Sequence, residues 1–275
     1  MKAIELHRWI EQVAPPYAPA DLVDGIMAGD PDAEVKGIAV TWLPNLDVLE
    51  RSAAKGLNFV VAHEPVFYWH PFFYPAGDER RFPADDLEDK KHTPPGLAKQ
   101  RVIEENNLVV YRMHDGWDQF PREGMGHSLA RLLGWTDKRV SDRYIYEIEP
   151  MRLDALASFV AGRLGKRGIR FVGDPAKIVR RVTLDWGSPG PIDIMLRGLA
   201  HDCDAAVTGE VVEWRDVEFA RDAGMGLITG GHYATENIGM QSFFHWFTAQ
   251  TFIKDSGLPV EYVDCGDPDS FARPA

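Results

Sequence analysis

Almost from end to end, this sequence alternates short apolar runs rich in β-branched residues with longer stretches of helical periodicity. Strands separated by helical connections point to an α/β protein with parallel or mixed sheets. The expected strands are "VKGIAVTWL" (35–43), "NFVVAH" (58–63), "LVVYRMH" (108–114), "YIYEI" (144–148), "IRFVG" (169–173), "IVRRVTLDW" (178–186), "AAVTGE" (205–210), "GLITGG" (226–231) and "PVEYVDC" (259–265). So many strands suit two sheets better than one. The helical stretches include "MRLDALASFVAGRLG", closed by a C-cap glycine, and "EWRDVEFARDAG".

At 275 residues the chain has room for two ordinary domains. The polar, aperiodic segment "GWTDKRVSDR" (134–143) is the expected seam. It gives an N-terminal α/β domain over 1–138 and a C-terminal one over 139–275, with the C-terminal helix able to pack back on the first. Residues 71–96, rich in proline and charge, read as a long loop, and loops of that length are usually functional or mobile. Near the start, Leu6, Trp9, Ile10 and Val13 recur at i, i+3, i+4 and i+7, which describes an amphipathic helix rather than a secretory leader.

Charge and composition exclude several roles. A formal charge of −12 repels phosphate backbones and anionic lipid, and no Lys/Arg-rich run overrides it, so nucleic acid and membrane are not expected partners. No stretch approaches the roughly 20 apolar residues that span a bilayer. Cys203 and Cys265 lie far apart and in no CxxC spacing, so neither a disulfide framework nor a zinc ribbon is signalled, and a reduced cytoplasmic setting is expected.

Four of the expected strands end in polar groups. "VVAHE" ends in His63 and Glu64; "VVYRMHDGWD" leads to His114 and Asp118; "AAVTGE" ends in Glu210; "LITGGHYATE" leads to His232 and Glu236. Ligands of open α/β sheets bind beyond the carboxyl ends of strands, where loops and helix N-termini converge. Imidazole with carboxylate is the donor set for zinc, iron(II) or manganese, and mixed His/Asp/Glu sets serve two-metal hydrolytic sites. Each pair alone has a plainer explanation: Pro65 simply stops a strand after His63 and Glu64, and His232 with Glu236 opens an ordinary helix after the Gly230–Gly231 turn. Those explanations do not account for every pair falling at a strand end. No P-loop, GxSxG elbow or HExxH is present, and the GxG of "GMGHSLARLLG" has no strand leading into it. The aromatics Phe67, Tyr68, Trp69, Phe72, Phe73 and Tyr74 are able to stack a flat ring, but read better as an apolar wall or subunit contact.

Taken together, "NFVVAHEPVFY", "VVYRMHDGWDQFPREGMGHSLARLLGW" and "AAVTGEVVEWRDVEFARDAGMGLITGGHYATENIG" resemble the NGG-one-interacting-factor-three-like family, often labelled GTP cyclohydrolase I type 2. The resemblance implies two α/β domains with mixed sheets around a cleft holding a dinuclear metal site, and a ring-shaped homohexamer. Carried over by position, it implies His63, Asp118, His232 and Glu236 as ligands of two divalent ions (Fe, Mn or Zn). It also implies His114 as the residue that orients Asp118 or handles a proton. Glu64 departs from the pattern, since the commoner motif has a second histidine there. Glutamate also ligates, and its charge favours manganese or iron(II) over zinc. His70, in the following loop, is a reserve donor. The chain leaves no room for the extra inserted domain of longer members, and Gly187 and Gly190 of "TLDWGSPGP" keep the family's glycine-rich turn possible.

The expected function is a metal-dependent hydrolase acting on a nucleotide or related small molecule, with Glu210 a less certain neighbour of the site. The rival is a non-catalytic metal-binding scaffold or protein-interaction ring. A third reading is an acidic α/β protein with no metal at all.

Overall fold

The expected apolar runs all become strands, most of them trimmed at their ends, while the run expected over 144–148 extends to Arg152 and takes the first two residues of the expected helix. The computed structural model describes residues 1–15, 23–68, 91–141, 143–188 and 191–270. The strands are β1 (Gly25–Ala28), β2 (Ile38–Thr41), β3 (Phe59–Ala62), β4 (Val109–Arg112), β5 (Arg139–Ser141), β6 (Ile145–Arg152), β7 (Arg170–Val172), β8 (Ile178–Leu184), β9 (Ala205–Thr208), β10 (Gly226–Thr229) and β11 (Val260–Tyr262). They form two mixed sheets, as the α/β reading requires.

The chain divides into two units, Met1–Pro121 with Met240–Gly266, and Arg122–Gly239 with Asp267–Ala275. In the first, the strand order is β1-β4-β3-β2-β11. Strands β11, β2, β3 and β4 run parallel, and β1 pairs antiparallel with β4. Every residue of β2, β3 and β4 is buried, which is why these runs are apolar without alternation. Parallel neighbours need crossovers. Helix Leu46–Ala54 connects β2 to β3, opened by the Asn45 side chain accepting the Val48 N–H at 2.9 Å, and helix Pro94–Glu105 precedes β4. Leu49, Val60, Ile103, Leu108 and Val110 meet in its core. The segment from Met240 closes the unit: Phe243 packs edge-on against fully buried Trp117 at 5.1 Å, and Phe252 stacks on Trp9 at 4.8 Å.

The second unit has the order β5-β6-β8-β9-β10-β7, with β8, β9 and β10 parallel and the outer strands antiparallel. Helix Leu153–Arg163 lays Leu156 and Val160 on Val182, Leu184 and Val207. Helix Pro191–Leu199 connects β8 to β9. Helix His232–Ala249 follows β10; its residues up to Gly239 belong to this unit and the remainder to the first.

The segment read as a seam is structured. A 3-10 turn over Thr136–Lys138 and strand β5 occupy it, and β5 pairs antiparallel with β6. Helix Met125–Leu133 buries Leu129 and Leu133 in the second unit's core, so that unit begins at Arg122, ahead of the expected boundary. Strand β1, "GIMA", was likewise not among the expected strands. The reading of 71–96 as loop needs correction at its end, where a helix starts at Pro94, capped by Thr93; its residues 71–90, with His70 and Trp69, lie outside the described residues. Among the described residues no helix is long and apolar enough to cross a membrane, and both cysteines are free thiols.

Candidate metal centre

In the first unit the donors stand at the carboxyl ends of two adjacent parallel strands. Strand β3 ends at Ala62, and the Trp42 carbonyl then accepts the N–H groups of both His63 (3.1 Å) and Glu64 (2.9 Å), which halts the ladder and turns these side chains out of it. Both are buried. The His63 Nδ1 lies 3.0 Å from the Met113 carbonyl oxygen. A carbonyl only accepts, so Nδ1 carries the proton and Nε2 presents its lone pair, the tautomer a metal-binding histidine needs.

Strand β4 ends at Arg112, and the chain turns through His114 into a short helix, Asp115–Asp118. The His114 ring stacks on that of His63 with centroids 4.3 Å apart and planes 9° from parallel. Its Nδ1 donates to Asp115 Oδ1 at 2.6 Å and lies 3.6 Å from Asp118 Oδ2. His63, His114 and Asp118 each offer one donor atom, and these atoms all lie within 4.8 Å of one another. Burial and the neighbouring His63 push the His114 pKa down, but the hydrogen bond to Asp115 and the charges of Asp118 and Glu64 outweigh them, so the net direction is upward. Asp115 was missed by the sequence reading, although its adjacency to a candidate histidine was a signal.

The second unit builds its group where β8, β9 and β10 end together. Past the strands the backbone ladder continues through glycines: Glu210 N–H donates to Gly187 O at 2.7 Å, and Gly231 N–H to Gly209 O at 3.0 Å. At Gly209 a Cβ would lie 2.2 Å from the Gly187 carbonyl, so only glycine permits the approach. Fully buried Thr235 accepts the Gly187 N–H at 3.1 Å and donates back into the Gly231–His232 turn, tying the start of helix His232–Ala249 to the β8 turn.

That helix places His232 and Glu236 one turn apart, with Nε2 and Oε2 2.9 Å from each other. Glu236 is buried; Glu210 lies 3.5 Å from His232 Nδ1 and is 56% exposed, a rim position rather than a buried donor. Behind the turn, Asp185 pairs with Arg197 at 2.9 Å. Burial raises the Asp185 pKa, more than Arg197 lowers it. The chemistry each unit offers is the same: an imidazole beside carboxylates at the carboxyl ends of parallel strands, suited to a borderline divalent cation.

Residues 1–81 and 84–265 match the family described as Duf34/NIF3 (NGG1p interacting factor 3). The chain belongs to this family. Among its relatives, the GTP cyclohydrolase 1 type 2 homolog of Escherichia coli strain K12 is 29% identical over 187 residues, covering 63% of this chain and 69% of that protein. The protein of the same name from Clostridium acetobutylicum is 23% identical over 251 residues, 86% of this chain and 85% of the relative. The crystal structure of a Bacillus cereus protein related to NIF3 superposes with a TM-score of 0.76 at 15% identity, covering 99% of both chains, which shows the shared NIF3 fold.

Proposed function

We propose that this NIF3-family chain binds two divalent metal ions and uses them for hydrolysis of a small molecule, a nucleotide or related compound with a cyclic amidine or phosphoester bond. The proposed ligands are His63, Glu64, Asp118, His232 and Glu236. The observation that carries the reading is the tautomer of His63 held by the Met113 carbonyl, in a residue that with His114 and Asp118 forms a group offering one donor atom each, all within 4.8 Å of one another. The second unit's His232 and Glu236 support it with a donor pair of the same chemistry. The relatives' name, GTP cyclohydrolase 1 type 2 homolog, supports the reaction class and does not fix a substrate.

When bound, the ions would supply a water acidified toward neutral pH and a Lewis acid for the bond attacked. The protein's own contribution is arrangement. Glu64, Asp118 and Glu236 offer anionic oxygens that neutralise the cations. The Met113 carbonyl keeps His63 in the ligating tautomer. His114, held by Asp115, is the group placed to accept or deliver a proton beside Asp118. The proposal takes the protein as a cytoplasmic homohexamer acting on a small-molecule substrate, without nucleic acid or membrane as partner.

Metal content per chain, measured by elemental mass spectrometry on protein purified without oxygen or chelators, tests this. About two equivalents of manganese, iron or zinc are expected, followed by turnover in a screen of nucleotides and phosphoesters. One equivalent or none would overturn the dinuclear reading. Full occupancy without turnover in that screen would favour a metal-binding scaffold.

A further inference from the structure

Asp24 is a half-buried carboxylate far from either donor pair in sequence, and its partners are unusual. It immediately precedes β1, where Gly25 pairs with Arg112, the last residue of β4. Arg112 Nε donates to the Val23 carbonyl, so residues 23 and 24 are drawn against the end of β4. From there the two Asp24 oxygens divide their work. Oδ1 accepts the backbone N–H of His114, and Oδ2 accepts the N–H of Gly116 at 2.6 Å. Both donors belong to the turn that carries His114 and Asp118.

The fit allows little slack. A Cβ at Gly116 would stand 3.0 Å from Asp24 Oδ2, 2.9 Å from the Ala14 carbonyl and 3.0 Å from Met113 Cε. His114 adopts φ −109° and ψ −87°, outside the helical well, before its carbonyl accepts the N–H groups of Trp117 (3.0 Å) and Asp118 (2.9 Å). Without a fixed acceptor on the other side, a four-residue helix has no strong reason to hold that geometry, because so short a helix is unstable alone. Drawing a carboxylate even partly out of water is costly unless its oxygens are hydrogen-bonded. Asp24 recovers that cost through two charge-assisted bonds, both made to this one turn.

We propose that Asp24 is the positioning residue of the metal-binding turn. By gripping the His114 and Gly116 amides it sets where the Asp118 carboxylate points and keeps the His114 ring stacked on His63. It touches neither ion nor substrate and acts through the backbone. The inference rests on the metal-binding reading above and adds to it a residue outside the ligand set.

The test compares wild type, Asp24→Ala and Asp24→Asn, each confirmed folded by far-UV circular dichroism. The readouts are amide hydrogen exchange over residues 113–119 in the metal-free protein, and Co²⁺ titration followed by its visible absorption. Asp24→Ala is expected to exchange at least about tenfold faster in that segment while β3 stays protected. It should also bind Co²⁺ about 10–100-fold more weakly with an altered spectrum, the range typical when a partner of a ligand is lost. Asp24→Asn keeps one acceptor and should fall between. If Asp24→Ala does not fold, Asp24→Asn carries the same comparison. Unchanged exchange, or wild-type Co²⁺ affinity in the variants, overturns the role of Asp24 and leaves the metal reading standing. A wild type that takes up no Co²⁺ overturns the metal reading and the Asp24 role with it.

Discussion

Gly187→Ala is the substitution whose effect follows most directly from geometry. Gly187 has φ +58°, a left-handed conformation that costs an alanine about 1–2 kcal/mol. The new Cβ would also sit 1.9 Å from Glu236 Oε1, 2.8 Å from its Cδ and 3.1 Å from His232 Nε2. Glu236 is buried in a helix tied to this same turn by Thr235, so its carboxylate has to swing away rather than slide aside. The backbone cost alone should lower the melting temperature by roughly 2–8 °C for a chain of this size. The displaced carboxylate should weaken metal binding about 10–100-fold, the scale seen when a ligand's surroundings are disturbed. Differential scanning fluorimetry and Mn²⁺ titration, run side by side on wild type and variant, measure the two effects. A variant with wild-type melting temperature and wild-type Mn²⁺ affinity would refute both the strain argument and the role of Glu236.

Two further outcomes are expected. Glu64→Gln should lose metal at one site, read by elemental analysis, with its melting temperature within a few degrees of wild type; unchanged metal content would return Glu64 to a strand-ending turn. Lys99 is buried, donates to the Val66 carbonyl at 2.7 Å and sits 4.2 Å from the Tyr68 ring centroid, and burial lowers its pKa from 10.5 to about 8. Between those two values the unfolded chain binds a proton that the folded one does not, so this group's contribution to stability rises with pH across that window. Relative to Lys99→Met, wild type should therefore gain on the order of 1–2 kcal/mol between pH 8 and pH 9.5, as determined by urea denaturation. Parallel stability curves for the two proteins across that range would contradict the assigned cause.

Much of the candidate site was legible because its residues are chemically distinctive and stand where strands stop. His63, Glu64, His114, Asp118, His232 and Glu236 could all be picked out as polar groups following apolar runs. Glu210 was named on the same grounds, yet it is more than half exposed, because residue type says nothing of which way a side chain faces. Asp24 carried no signal at all. It is a lone acidic residue in a segment without periodicity, and its two partners lie about ninety residues away, brought to it by the pairing of β1 with β4 and the Arg112–Val23 hydrogen bond.

The sequence by itself determined the segments able to be strands and helices, through the spacing of apolar residues, and the kind of ion the polar residues suit, through their donor atoms. The tertiary structure alone decided the order of the strands, the allotment of 122–138 to the second unit and of 240–266 to the first, the ligating tautomer of His63 and the narrow approach at Gly187. Local propensity acts over a few neighbouring residues, whereas these features depend on backbone groups and side chains that meet only after distant segments have packed.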